Sequence, residues 1–122
     1  MIYNRNLESA ISDYCFIDND IDDAEINAWI GPKGTISSLH TDNKENLFVQ
    51  VKGYKMFKLI SPKFNDKIKP IDDVMFNSSR LDVEKRIEGV EIETVLVGPG
   101  DMLYIPKLHW HYVRHRDFKF YP

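Results

Sequence analysis

His40 and Asp42 stand two positions apart in "SLHTDNKENLFVQVKGYK", and His109 and His111 repeat that spacing near the other end in "LHWHYVRH". Along an extended strand side chains alternate faces, so His40 and Asp42 are expected to leave one side together while Thr41 points away. One histidine of the second pair would complete a set of two imidazoles and one carboxylate. Such a three-donor face leaves coordination positions open, as in non-haem Fe(II) centres, and zinc with a bound water as nucleophile uses the same donors. Each pair alone is also an ordinary surface or packing feature, so the donors by themselves do not choose between these chemistries.

Lys55 adds a second requirement. It follows Asp42 at about the distance needed to run through one strand, turn at Lys52-Gly53 and return alongside it. An ammonium directed into a strand-lined interior is costly unless it meets an anion. A dicarboxylate held to a metal by one end would supply that anion at the other. Ser37 and Asn46 stand near Lys55 in sequence, and by pattern alone they read as ordinary polar residues at strand ends. The same pattern also fits a Lys55 that faces water beside Lys52 and Lys58.

The elements that must position these groups are short apolar runs separated by turn residues: "INAWIG", "GTISSLHTD", "NLFVQVKG", "YKMFKLISP", "EIETVLVGPGD", "MLYIPK" and "HWHYVRH". β-Branched and aromatic residues fill their interiors, while Gly, Pro and Asp gather at their boundaries, which predicts an all-β sandwich or barrel. Residues 61–91 are more polar and less regular. They read as an insertion between two sets of strands, with a short helix expected in "SRLDVEKRIEG".

The whole chain bounds these readings. At 122 residues with 43% hydrophobic content it is expected to form one domain over residues 1–122 with a modest core. Sixteen basic against 19 acidic residues, a net charge of -3, speak against broad attraction to nucleic acid or an anionic membrane. Cys15 is the only cysteine, which rules out an internal disulfide, favours a reducing intracellular compartment, and suits a small buried hydrophobe. No basic stretch followed by an apolar run opens the chain, and no run approaches the roughly eighteen apolar residues of a membrane span. Asp18, Asp20 and Asp22 imitate the start of a calcium loop. The imitation fails because Asp23 stands where glycine is needed and Trp29 where the bidentate glutamate belongs.

Taken together, "INAWIGPKGTISSLHTDNKENLFVQVKGYKMFKLISP" and "VGPGDMLYIPKLHWHYVRH" resemble the jumonji-C oxygenases of the cupin superfamily, over about Ser12 to His115. Within the family the likeness is nearest to the arginyl hydroxylase branch once described as histone lysine demethylases, through "SDYC", "INAW", "GTIS" and "WHYVR". An asparaginyl hydroxylase branch is similar over "VKGYK" and "VGPGDMLYIP". The resemblance implies a double-stranded β-helix of the cupin (jelly-roll) type, with Fe(II) as metal, 2-oxoglutarate as cosubstrate and dioxygen as oxidant.

Carried over residue by residue, it implies His40, Asp42 and His111 as iron ligands and catalytic centre. His109 falls where relatives tend to carry an aromatic and is assigned to the strand. Lys55 matches the lysine that grips the distal carboxylate of 2-oxoglutarate, while Ser37 and Asn46 match polar contacts to the same molecule. Trp29 matches a pocket-side aromatic, a position that packing also explains. The implied substrate is a protein or peptide side chain, with arginine favoured over methyl-lysine, in the cytoplasm or nucleus. The alternatives are a metal-binding cupin module without turnover and a sibling oxygenase acting on another residue or on RNA. For RNA the basic group Arg114, His115, Arg116 and Lys119 is a faint pointer.

Two departures from the family pattern matter. "MIYNRNLE" offers no counterpart to a tyrosine that contacts 2-oxoglutarate, and only "RDFKFYP" stands where a final barrel strand is expected. The chain therefore reads as a core shortened at both ends, with a substitute strand expected over residues 118–121 and self-association through exposed strand edges.

Overall fold

The alternating pattern becomes six antiparallel strands in the computed structural model, which describes residues 26–116. They are β1 (Ile36–His40), β2 (Asn46–Val49), β3 (Tyr54–Ile60), β4 (Glu93–Val97), β5 (Met102–Ile105) and β6 (Trp110–Arg116). Four of them form a sheet in the order β1-β6-β3-β4, and β2 pairs with β5 in a second sheet. This all-β arrangement of antiparallel sheets is that of a cupin-type double-stranded β-helix. The chain divides into two compact units, Met1–Ile30 and Gly31–Pro122. Of the first, residues 26–30 are described, and the strand expected in "INAWIG" does not form there. Cys15, the acidic group at Asp18, Asp20 and Asp22, and the strand expected over residues 118–121 lie outside the described residues.

Period-two alternation gives the larger sheet two apolar faces. Phe57, Val97 and Ile105 bury one face against the smaller sheet, joined by Phe48, Leu59, Val95, Leu103 and Val113. The rings of Phe48 and Phe57 meet edge to face at 4.9 Å across the two sheets. On the opposite face Leu39, Met56, Ile60, Trp110 and Tyr112 pack with Ile68 and Val83 from the long β3–β4 connection. Each such fully buried side chain contributes about 1.5–3 kcal/mol.

That connection is therefore a lid over the outer face of the larger sheet. It is irregular, with a single 3-10 turn at Pro62–Phe64 capped by Ser61. Isolated bridges tie it to itself and to β1, Pro70 to Ser79 and Ser78 to His40. Trp110 donates Nε1–H to Asn65 Oδ1 at 2.7 Å, and Ser79 donates its hydroxyl to the Lys69 carbonyl at 2.7 Å. The helix expected in "SRLDVEKRIEG" does not form. Ser79 Oγ accepts the Leu81 amide and Asp82 Oδ1 the Glu84 amide, so side chains capture donors that a helix would turn inward. A chain of successive turns in place of a helix lets Leu81, Val83 and Ile87 all reach the sheet.

Between β4 and β5 the turn needs glycine twice. Gly100 sits at φ +90°, and a side chain at Gly98 would meet the Tyr54 ring at 2.6 Å. Asp101 fastens this turn by accepting the Gly98 amide at 2.8 Å. Among the described residues no helix is long and apolar enough to cross a membrane.

Candidate metal centre

Strands β1 and β6 pair Ser37 with Val113 and then His40 with His111, with an irregularity between. Three steps on β1 answer two on β6, so β1 carries one extra residue, a bulge. Strict alternation would have put residue 39 opposite His111. The bulge instead lets Leu39 turn into the outer core, where it is 1% exposed, and sets His40 beside His111 on the inner face. Their rings lie 4.1 Å apart, centroid to centroid.

Asp42 arrives by another route than the expected one. β1 ends at His40, so strand alternation does not bring Asp42 round. Its loop is held from two sides: Thr41 donates its amide to the Asn77 carbonyl at 2.8 Å, and the Asp42 carbonyl accepts the Leu108 amide at 3.0 Å. Leu108 has a φ of +66°, the only positive value at a non-glycine among the described residues. Such a conformation costs about 1–2 kcal/mol, and here it shapes the turn that leads β5 into β6.

The result is a convergent set. Asp42 Oδ2 lies 3.3 Å from His111 Nε2 and 4.0 Å from His40 Nε2, and all three donor atoms fall within 4.8 Å of one another. A first-row metal bonded at about 2.0–2.2 Å spaces its donors by about 3–3.5 Å, so a small inward adjustment closes the set. His40 Nδ1 faces the Ser38 carbonyl at 2.7 Å and His111 Nδ1 the His109 carbonyl at 3.0 Å. A carbonyl only accepts, so both Nδ1 atoms carry a proton, and in the neutral rings both Nε2 atoms then present lone pairs. Burial pushes the His111 pKa down, against the His109 carbonyl that raises it, which favours the neutral imidazole a metal requires. The side chain of His111 is 6% exposed and that of Asp42 41%, so the set is walled by β6 and open on the Asp42 side.

Asn46 opens β2 and donates Nδ2–H to Asp42 Oδ2 at 3.2 Å, a contact with the carboxylate that sequence reasoning did not assign. Its cross-strand partner is Ile105, a residue of the inner core, so Asn46 shares that inner face with Phe48. Lys55 was expected to return beside β2, but β3 pairs with β4 and β6 and β2 lies in the other sheet. Lys55 thus faces β2 across the gap between the sheets, with its ammonium 5.0 Å from the centre of the Phe48 ring. Burial pushes its pKa down. Ser37 lies on the same inner face through its pairing with Val113, and it is exposed.

His109 does not join the donor set. It precedes β6 and contributes its carbonyl to His111, while its own Nδ1 is buried without a partner. Its side chain lines a cleft of about 460 Å³ with Leu59, Leu103, Pro106 and Glu93. Sequence reasoning missed the supporting carbonyls of Ser38 and His109. The i to i+2 spacing of each carbonyl from its histidine, in strands already predicted, was the available signal.

Residues 7–120 match the family model described as a cupin-like domain. The chain is 38% identical over 119 residues to a Danio rerio protein named lysine-specific demethylase 8, covering 90% of this chain and 29% of that protein. It is 37% identical over 136 residues to JmjC domain-containing protein D of Dictyostelium discoideum, covering 92% of this chain and 30% of the relative. With the Arabidopsis thaliana protein named lysine-specific demethylase JMJ30 it shares 38% over 112 residues, covering 85% and 26%. The chain thus spans less than a third of the length of each of these relatives.

Proposed function

Because this chain belongs to the cupin-like family in its jumonji-C form, we propose that it works as an Fe(II)- and 2-oxoglutarate-dependent oxygenase that hydroxylates a protein side chain, with arginine favoured. His40 Nε2, Asp42 Oδ2 and His111 Nε2 hold the iron. Lys55 takes the far carboxylate of 2-oxoglutarate, and Ser37 and Asn46 add polar contacts. When bound, the iron and 2-oxoglutarate supply the activation of dioxygen. The chain's own groups do the rest. The Ser38 and His109 carbonyls hold the Nδ1 protons and fix both rings, Asn46 orients the Asp42 carboxylate, and the Phe48 ring shields one side of the Lys55 ammonium.

The observation that carries this reading is one inner face with three metal donors at one end and a half-buried, inward lysine further along. Organisation as one jumonji-C core over residues 1–122 and work on protein substrates in the cytoplasm or nucleus belong to the same proposal. So does self-association, since β2 and β5 pair only with each other among the described residues, leaving an open edge on each. A stable monomer in light scattering would remove that part.

A second reading, demethylation of lysine, is favoured by the names of the Danio rerio and Arabidopsis thaliana relatives. Hydroxylation of an N-methyl group begins it, so one centre serves both reactions. The test is succinate formation with Fe(II), 2-oxoglutarate and either arginine peptides or methyl-lysine peptides, followed by mass spectrometry. A peptide that gains one oxygen supports hydroxylation, and one that loses a methyl with release of formaldehyde supports demethylation. Metal binding with no succinate from any peptide leaves a binding module and ends the oxygenase reading.

A further inference from the structure

His115 stands directly opposite Lys55 in the β3–β6 ladder, so the two side chains share the inner face of the sheet. Its Nδ1 is buried and has no hydrogen-bond partner. Among the described residues Lys55 has the Phe48 ring beneath it and no carboxylate. Their neighbours on this face, Val97 opposite Lys55 and Phe57 and Val113 one rung along, are apolar and give neither nitrogen group a partner. A buried polar atom without a partner is costly, and the His115 nitrogen stands directly across the ladder from a part-buried ammonium that has only a ring beside it.

The position of His115 is built. Its ring lies over Gly53, where even a single added carbon would stand 3.1 Å from Nε2, and Gly53 has a φ of +78°. On its other flank the His115 amide donates to the Thr35 carbonyl at 2.9 Å. The rung of Lys55 and His115 lies four residues along β6 from His111, on the same face. That is about 13 Å in extended backbone. A metal bond at one end and a hydrogen bond at the other leave room within this span for a five-carbon diacid.

We propose that His115 is a second donor to the far carboxylate of the cosubstrate, so that Lys55 and His115 together form a two-nitrogen seat for a dicarboxylate. The inference rests on the oxygenase reading above and extends it to a residue outside the metal and lysine set. With Nδ1–H directed at the carboxylate, the buried orphan gains its acceptor and the ammonium its counter-charge. Glycine at 53 suits both the positive φ and the close approach of the imidazole.

The experiment compares two 2-oxo acids on the full chain loaded with Mn(II). 2-Oxoglutarate carries the far carboxylate and 2-oxobutyrate lacks it. Calorimetry should show His115→Phe weakening 2-oxoglutarate by about three- to tenfold, the worth of one hydrogen bond, with 2-oxobutyrate and Mn(II) affinities unchanged. His115→Gln, which keeps a donor, should recover part of the loss and guards against a Phe variant that fails to fold. Equal 2-oxoglutarate affinity in wild type and His115→Phe overturns the inference while leaving the oxygenase reading intact. Equal weakening of both acids overturns it too. A wild-type chain that takes Mn(II) but neither acid ends both readings.

Discussion

On the outer face of the larger sheet, and in the connection that covers it, the Trp110 indole, the Tyr112 hydroxyl and the Ser79 hydroxyl each reach an acceptor at 2.7 Å. On the inner face, His115 Nδ1 has no partner, Lys55 has a ring in place of an anion, and the Nε2 atoms of His40 and His111 turn toward one carboxylate oxygen. The outer face is closed by its own chain and carries stability. The inner face keeps polar groups whose partners are not supplied by the fold, which is where natural sequences depart from internal consistency for the sake of a ligand. Substitutions on the two faces should therefore separate folding from binding.

The largest effect is expected on the outer side. Ile60 is 1% exposed in that core, and Ile60→Ala should lower unfolding free energy by about 2–5 kcal/mol in urea titration. Its folded fraction should keep wild-type Mn(II) affinity. A large loss of affinity at unchanged stability would show that the two faces are not separable.

On the inner side Asp42→Ala or His111→Ala should weaken Mn(II) by about a hundredfold, since even supporting partners of a metal site cost ten- to a hundredfold. Stability of the metal-free chain should hold or rise in Asp42→Ala, the outcome expected if this half-exposed carboxylate serves a metal and not the fold. His109→Ala should retain Mn(II), as only its backbone carbonyl supports His111. Next in size, Lys55→Ala should weaken 2-oxoglutarate by about tenfold or more, the worth of a charge-assisted hydrogen bond, with Mn(II) binding intact. Unchanged cosubstrate affinity would return Lys55 to the role of a lysine that merely covers Phe48.

The contrast between faces also explains what was legible in the sequence. Six of the seven strands expected from apolar runs were, all but "INAWIG", because alternation and Gly or Pro boundaries are local, and "YKMFKLI" and "WHYVRH" carry both faces of the sheet in their alternate residues. The three donors were legible as types and spacings. Their route to one another was not: the extra residue between Ser37 and His40 has no propensity signature, and Asp42 is positioned by the backbone of Leu108 and by Thr41 through Asn77, both distant in sequence. The pairing of β2 with β5 was missed because a nearby turn suggested a hairpin with β3, whereas burial of Phe48 against Phe57 required the two strands to face each other. The "SRLDVEKRIEG" helix failed for the same reason, since the lid serves the sheet's apolar face before its own periodicity.

The smallest expected effect lies where the lid meets the outer face, and it carries a pH dependence of known sign. Glu84 accepts hydrogen bonds from the Tyr112 hydroxyl at 2.7 Å and from Arg114 at 2.7 and 2.9 Å. The Tyr112 hydrogen bond first, then Arg114, holds the Glu84 carboxyl below its ordinary range. The unfolded chain therefore binds this proton more readily, so the contribution of Glu84 to stability is full above the ordinary carboxylate range and is lost as pH falls through the folded value. Tyr112 is pushed up to about 12, by burial first and then by Glu84. Its contribution is full below the ordinary phenol value of about 10 and fades as pH rises toward 12. The Glu84 side chain is 37% exposed, so solvent screening keeps the effect small. Glu84→Gln should lower Tm by about 1–3 °C at neutral pH, with the difference from wild type shrinking below about pH 4 and in high salt. A difference that persists undiminished in acid would mean that the lid is held by the shape of residue 84 and not by its charge.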